Sequence, residues 1–138
     1  KRWKKLENFF QKEGIKGYET FCSLRPSDTS LYEGGLESVK KVIITTSYTI
    51  YTAKEFVKNN PEFGLIVIHF LKPLDERLRD EFIGKEEVIF VESNYSGQLE
   101  NYISKELGLK YVEGLKIRNL RKYDLYPFYY EDFETLKN

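Results

Sequence analysis

The stretch Glu92-Ser93-Asn94-Tyr95-Ser96-Gly97-Gln98 brings together a carboxylate, two amides, a phenol and two hydroxyls within one short segment. Groups of this kind orient a ligand or bridge to a neighbouring surface. Asn94, lying just before a helical pattern, is also of the type that caps free helix N–H groups. Gly97 lets the start of that helix pack closely on a neighbour, and Gln98 is long enough to reach across a crevice. Glu92, Asn94, Tyr95, Ser96, Gly97 and Gln98 are therefore the candidate binding or domain-interface residues, with no catalytic and no metal-binding residue assigned. His69 is the only histidine, hence the only side chain whose ordinary pKa lies near neutrality. It stands within the apolar run Leu65 to Leu71 and is expected to be a hydrogen-bonded core or strand-end residue. Cys22, the only cysteine, excludes an internal disulfide and has no basic neighbour in sequence to activate it, so it is expected to be an inert packed thiol.

The elements around these residues follow from hydrophobic patterning. Val88 to Val91 are four successive apolar residues, as expected of a strand buried on both faces. Leu99, Tyr102, Ile103 and Leu107 then fall on one face of a helix that Gly108 is placed to end. Two further strand, polar turn, helix units precede this one. Val42-Ile43-Ile44 leads through Thr45 to Thr49 into Ile50, Ala53, Phe56 and Val57, and Asn60-Pro61 closes that helix. Leu65 to Leu71 is expected to be a central parallel strand. Leu74, Leu78 and Phe82 continue it at helical spacing until Gly84. Lys1 to Glu13 reads as a helix, Tyr18 to Leu24 as a short strand, Arg25 to Gly35 as a loop and Tyr111 to Leu120 as a last strand. The tail holds Tyr126, Phe128, Tyr129, Tyr130 and Phe133 around Pro127, and is expected to pack on the same domain. Right-handed crossovers between such units build an α/β fold, a three-layer αβα sandwich with a mostly parallel sheet. The polar turns at the strand carboxyl ends, 45–49 and 92–98, would line its crevice.

The residues from Val91 to Leu99 also resemble the E-x-N-x-x-G-Q-L segment in the C-terminal domain of the alpha subunit of 2-oxoacid:ferredoxin oxidoreductases, the pyruvate and 2-oxoglutarate enzymes. Lys1 to Glu7 resembles the basic helix that opens that domain, and Lys122-Tyr123-Asp124-Leu125-Tyr126-Pro127-Phe128 resembles its closing K-Y-D-G-x-P-F. The resemblance implies a transketolase C-terminal-domain-like fold. It also implies membership of an enzyme that oxidatively decarboxylates a 2-oxoacid to an acyl-CoA and passes electrons to ferredoxin. In that enzyme thiamine diphosphate, magnesium and iron–sulfur clusters are supplied by other domains and subunits, and coenzyme A is a substrate. This chain would bind none of these cofactors itself and would be a non-catalytic structural domain whose partners are those other domains and subunits, with ferredoxin an indirect one. Ser47 and Leu125 stand where the family carries glycine. They motivate the alternative of a free-standing ligand-binding or regulatory module derived from that domain.

Composition narrows the classes. The 138 residues have the length of one domain, and the absence of Met together with a first residue Lys1 suggests the C-terminal part of a longer chain. Twenty-two cationic residues balance 22 acidic ones, which leaves no net field to recruit nucleic acid or an anionic membrane. Charged residues at 32% are compatible with a hot environment. No apolar stretch reaches the roughly 18 residues of a membrane span, and a cytoplasmic location is expected.

Overall fold

The computed structural model describes residues 5, 12, 16–23, 31–33, 36–46, 49–71, 74–92, 98–122 and 127–137. Its strands are β1 (Tyr18–Ser23), β2 (Leu31–Glu33), β3 (Lys41–Thr46), β4 (Phe63–Ile68), β5 (Glu87–Glu92) and β6 (Lys116–Arg121). The α-helices whose bounds lie among the described residues are α1 (Ile50–Asn59), α2 (Gln98–Leu107) and the short α3 (Tyr130–Glu134). The strands form one sheet in the order β2-β1-β4-β3-β5-β6. β4, β3, β5 and β6 are mutually parallel, whereas β1 runs antiparallel to β4 and β2 antiparallel to β1.

The unbroken apolar runs are explained by two cores. Strand side chains alternate between faces, so Val42, Ile44, Ile66, Ile68, Val88 and Phe90 enter one core while Ile43, Leu65, Val67, Ile89 and Val91 enter the other. The first core is closed by Leu99, Ile103 and Leu107 of α2 and by Leu78 and Phe82. Ala53, Phe56 and Val57 of α1 close the second, together with Phe128, Phe133 and Leu136 of the aromatic tail. Every residue of β4 and β5 is buried. Each large apolar side chain so enclosed contributes about 1.5–3 kcal/mol by leaving water. The sheet is thus covered on both faces, an α/β arrangement of three layers, and the tail packs on this same body as expected.

Sequence of connections and choice of face are linked. From β3 the chain steps through α1 to β4 in one direction, and from β5 through α2 to β6 in the other. Crossovers of one hand that move in opposite directions must pass over opposite faces. α1 and α2 do lie in different cores. The reversal falls between the adjacent strands β3 and β5, which end at Thr46 and Glu92.

Four expectations need correction. Glu76–Phe82 is a 3-10 helix, capped by the Asp75 carboxylate accepting from the Arg77 N–H; the spacing of Leu74, Leu78 and Phe82 identifies a buried face without fixing the winding. The last strand begins at Lys116, because Gly108 and Gly114, with φ of 60° and 76°, turn the preceding segment through a 3-10 turn at Leu109–Tyr111. The expected loop 25–35 contains β2, which adds an edge to the sheet. The strand expected over Leu65 to Leu71 ends at Ile68, and it pairs parallel with β3 but antiparallel with β1. Within the expected first helix, Lys5 and Lys12 are helical, and its remaining residues lie outside the described ones.

Candidate functional site: the crevice at the strand carboxyl ends

β5 delivers Glu92 to the switch point as its last residue, and α2 begins six residues later at Gln98. The Glu92 side chain turns into the helix start. Its Oε1 accepts the Leu99 N–H at 2.8 Å and its Oε2 the Glu100 N–H at 3.2 Å. From β6, next to β5, the Asn119 amide Nδ2 donates to Glu92 Oε2 at 2.6 Å and to Glu100 Oε1 at 2.8 Å. Asn119 Oδ1 is buried without a hydrogen-bond partner. The first amides of a helix carry the positive end of its dipole and are a natural seat for an anion. Here the seat is taken by a carboxylate of the same chain, which answers two of the helix's orphan donors while its own charge is neutralised by oriented dipoles.

On the β3 side the hydroxyl of Thr45, wholly buried, donates to the Val91 carbonyl at 3.2 Å. A hydroxyl has one proton, so the 2.6 Å contact between Thr45 Oγ1 and Thr49 Oγ1 is donated by Thr49. This ties β3 and β5 to the residue that precedes α1. Thr49 is the N-cap of α1, and its side chain makes no capping bond to the helix.

The predicted site residues are therefore distributed unevenly. Glu92 is at the crevice and buried; Gln98 is exposed at the first position of α2. Asn94, Tyr95, Ser96 and Gly97 lie outside the described residues. The expected cap role belongs at least in part to Glu92, which answers the Leu99 and Glu100 amides. Asn119 was missed by sequence reading, and of the turn 45–49 expected at the crevice the sequence did not foretell the Thr45–Thr49 hydroxyl contact. Asn119 stands two residues after Ile117, on the same face of the strand, and nothing local marks it as the partner of a carboxylate on another strand.

At the same end of the sheet, His69 lies just past β4 and pairs with Glu19 at 2.6 Å, both partly exposed. This is the strand-end role expected of it. Gly17 N–H donates to Asp75 Oδ2 at 3.1 Å, and Arg77 holds Asp75 through Nε at 2.9 Å and Nη2 at 2.7 Å. Burial pushes Asp75 up, but the Arg77 and Gly17 hydrogen bonds outweigh it and hold the carboxyl below its usual range. Tyr18 is pushed well above the ordinary phenol value by burial and by Glu81, whose Oε2 accepts its hydroxyl at 3.0 Å. Cys22 is buried, and that burial raises its thiol pKa, as for a packed and unreactive cysteine.

Among the described residues no group of three His, Cys, Asp or Glu side chains is arranged to hold a metal ion, and no helix is long and apolar enough to cross a membrane. Comparison with protein families, with curated proteins and with solved structures finds no match to this chain.

Proposed function

We propose that this chain is a non-catalytic, architecture-holding domain of a thiamine-diphosphate-dependent 2-oxoacid:ferredoxin oxidoreductase, transketolase C-terminal-domain-like in fold, whose cofactors are held by other domains and subunits. The observation that carries the reading is the fate of Glu92. It lies in the segment that resembles the alpha subunit, at the point of an α/β sheet where ligands bind. There it is spent on the amides of its own helix and on Asn119. A carboxylate used this way fixes the strand-to-helix geometry and repels a diphosphate from that helix start. Gln98, exposed at the first position of α2, can then meet an adjoining domain.

The test is to isolate the native protein together with whatever copurifies and to determine its mass and cofactors. A larger polypeptide or complex carrying thiamine diphosphate and iron is the expected result. A free polypeptide of the mass of these 138 residues, with neither, would overturn the reading and favour a free-standing binding module. Assay of the chain alone for 2-oxoacid-dependent dye reduction, with thiamine diphosphate and coenzyme A added, is expected to give no turnover. Sustained turnover would refute the non-catalytic role.

A further inference from the structure

At the opposite end of the sheet, the turn before β3 and the 3-10 segment before β5 enclose a cleft of about 300 Å³ lined by Glu37, Lys40, Asp80, Glu81, Gly84 and Lys85. Gly84 adopts φ +81° with nothing near the position a Cβ would take, so the turn leaves the rim open. Lys85 is the one buried cation among the described residues, with 8% of its surface exposed. Its ammonium donates to the carbonyls of Leu36 and Val39. These are neutral acceptors, and no ion pair among the described residues includes Lys85. An ammonium has three N–H donors, so one is left over. Lysine is seldom buried without an anionic partner, because two carbonyl dipoles do not repay the lost hydration of a full charge. Burial accordingly lowers the Lys85 pKa, the fields of Glu81 and Glu37 offsetting this only in part, and Lys40 adds to the positive potential.

Lys85, in the lining of the cleft, thus has no anionic partner among the described residues. The cleft walls nevertheless carry Glu37, Asp80 and Glu81, which would repel a ligand that is only anionic. Glu37, Asp80 and Lys40 take part in no ion pair among the described residues, although both signs line the same space. A ligand that satisfies both features has a carboxylate for Lys85 and Lys40 and an ammonium for the flanking acids. The volume is at the lower end of small-molecule sites and suits a molecule of amino-acid size. We propose that this cleft binds a small zwitterion of the α-amino-acid class, its carboxylate against Lys85 and its ammonium against Glu37 and Glu81. The inference stands apart from the oxidoreductase reading, since it uses neither the resemblance nor the carboxyl-end crevice.

Amide-resolved NMR titration of the chain with glycine, L-alanine and L-leucine tests it, with propionate and ethylamine as the two half-molecules. At least one amino acid is expected to shift the Lys40, Gly84 and Lys85 amides saturably at about millimolar concentration, and the halves to bind at least about tenfold more weakly. Glu37→Gln, at an exposed position that leaves the fold intact, and Lys85→Met should each weaken binding by about tenfold or more. Binding should also raise the Lys85 pKa, read from its side-chain resonances. Amides that stay unmoved by all three amino acids at about 100 mM would overturn the proposal. So would a half-molecule that binds as tightly as the zwitterion, or unchanged affinity in both variants.

Discussion

Glu92 and Lys85 are buried to almost the same degree, 6% and 8% exposed, at opposite ends of the same strand layer. Their surroundings differ in kind. Glu92 receives two helix amides and a side-chain amide, a set of donors aimed at a negative charge by a helix dipole. Lys85 meets two neutral carbonyls and carboxylates that stay beyond ion-pair distance. Depth of burial therefore says little about what a charged group is for. A fully answered charge is part of the scaffold, and an under-answered one beside open space is a place where something else can bind.

The largest expected effect comes from the answered charge. Glu92→Gln keeps the shape but removes the negative charge at the α2 start and turns an NH2 group toward atoms that are themselves donors. We expect a loss of about 2–4 kcal/mol in urea unfolding, with an unchanged dependence on denaturant concentration. Lys85→Met keeps the aliphatic stem and deletes a poorly compensated ammonium, at the cost of two carbonyls that lose a donor. The expected change is within about 1 kcal/mol of zero. Equal losses in the two variants would break the comparison, because Lys85 would then be as well compensated as Glu92.

The contrast also marks what could be read from the sequence. Val88 to Val91 and the spacing of Leu99, Ile103 and Leu107 announce β5 and α2, because periodicity and burial are local properties of the chain. The work done by Glu92 could not be read there. Its acceptance of N–H groups seven and eight residues ahead, and of Asn119 from a neighbouring strand, exists only once β5, β6 and α2 have been brought side by side. Lys85 is harder still. A lysine between Gly84 and Glu86 reads as solvated, and only the folding of Leu36 and Val39 over it makes it buried. β2 was hidden similarly, since its pairing with β1 outweighs a flanking stretch rich in Pro, Ser and Asp.

Dependence of stability on pH sharpens the comparison at intermediate size. The folded-state pKa of Lys85 is lowered from 10.5. Below that lowered value both states hold the proton and the cost of burial stands in full. As pH rises toward 10.5 the native state releases its proton first, so stability climbs. Tyr18 has the opposite sign: its folded pKa is raised, so above its ordinary value of 10.0 the unfolded state ionises first and stability falls. Lys85→Met should remove the climb and leave the fall, and Tyr18→Phe should do the reverse. At the acid end Asp75 contributes stability above its ordinary value of 3.8 that is lost as pH drops through its lowered folded value. Asp75→Asn should flatten that limb. Denaturant midpoints measured across pH check all three, and a Lys85→Met profile that still climbs would contradict the under-compensated state of this lysine.

The smallest effect belongs to a pair that water already answers. Glu19 and His69 meet at 2.6 Å, yet their side chains keep 38% and 31% of their surface exposed. Short distance alone would suggest a strong contact. Solvent screening and the entropy of fixing two side chains reduce such pairs to about 0.2–1 kcal/mol. The strand ends do not depend on it either, because the His69 and Phe70 amides both donate to the Gly17 carbonyl, at 2.8 and 3.2 Å. A double-mutant cycle with Glu19→Gln and His69→Gln is expected to give a coupling below about 1 kcal/mol. Coupling as large as the Glu92→Gln loss would mean that exposure fails to discount a charge here. The distinction between Glu92 and Lys85 would then have to rest on distance rather than on how completely each buried charge is answered.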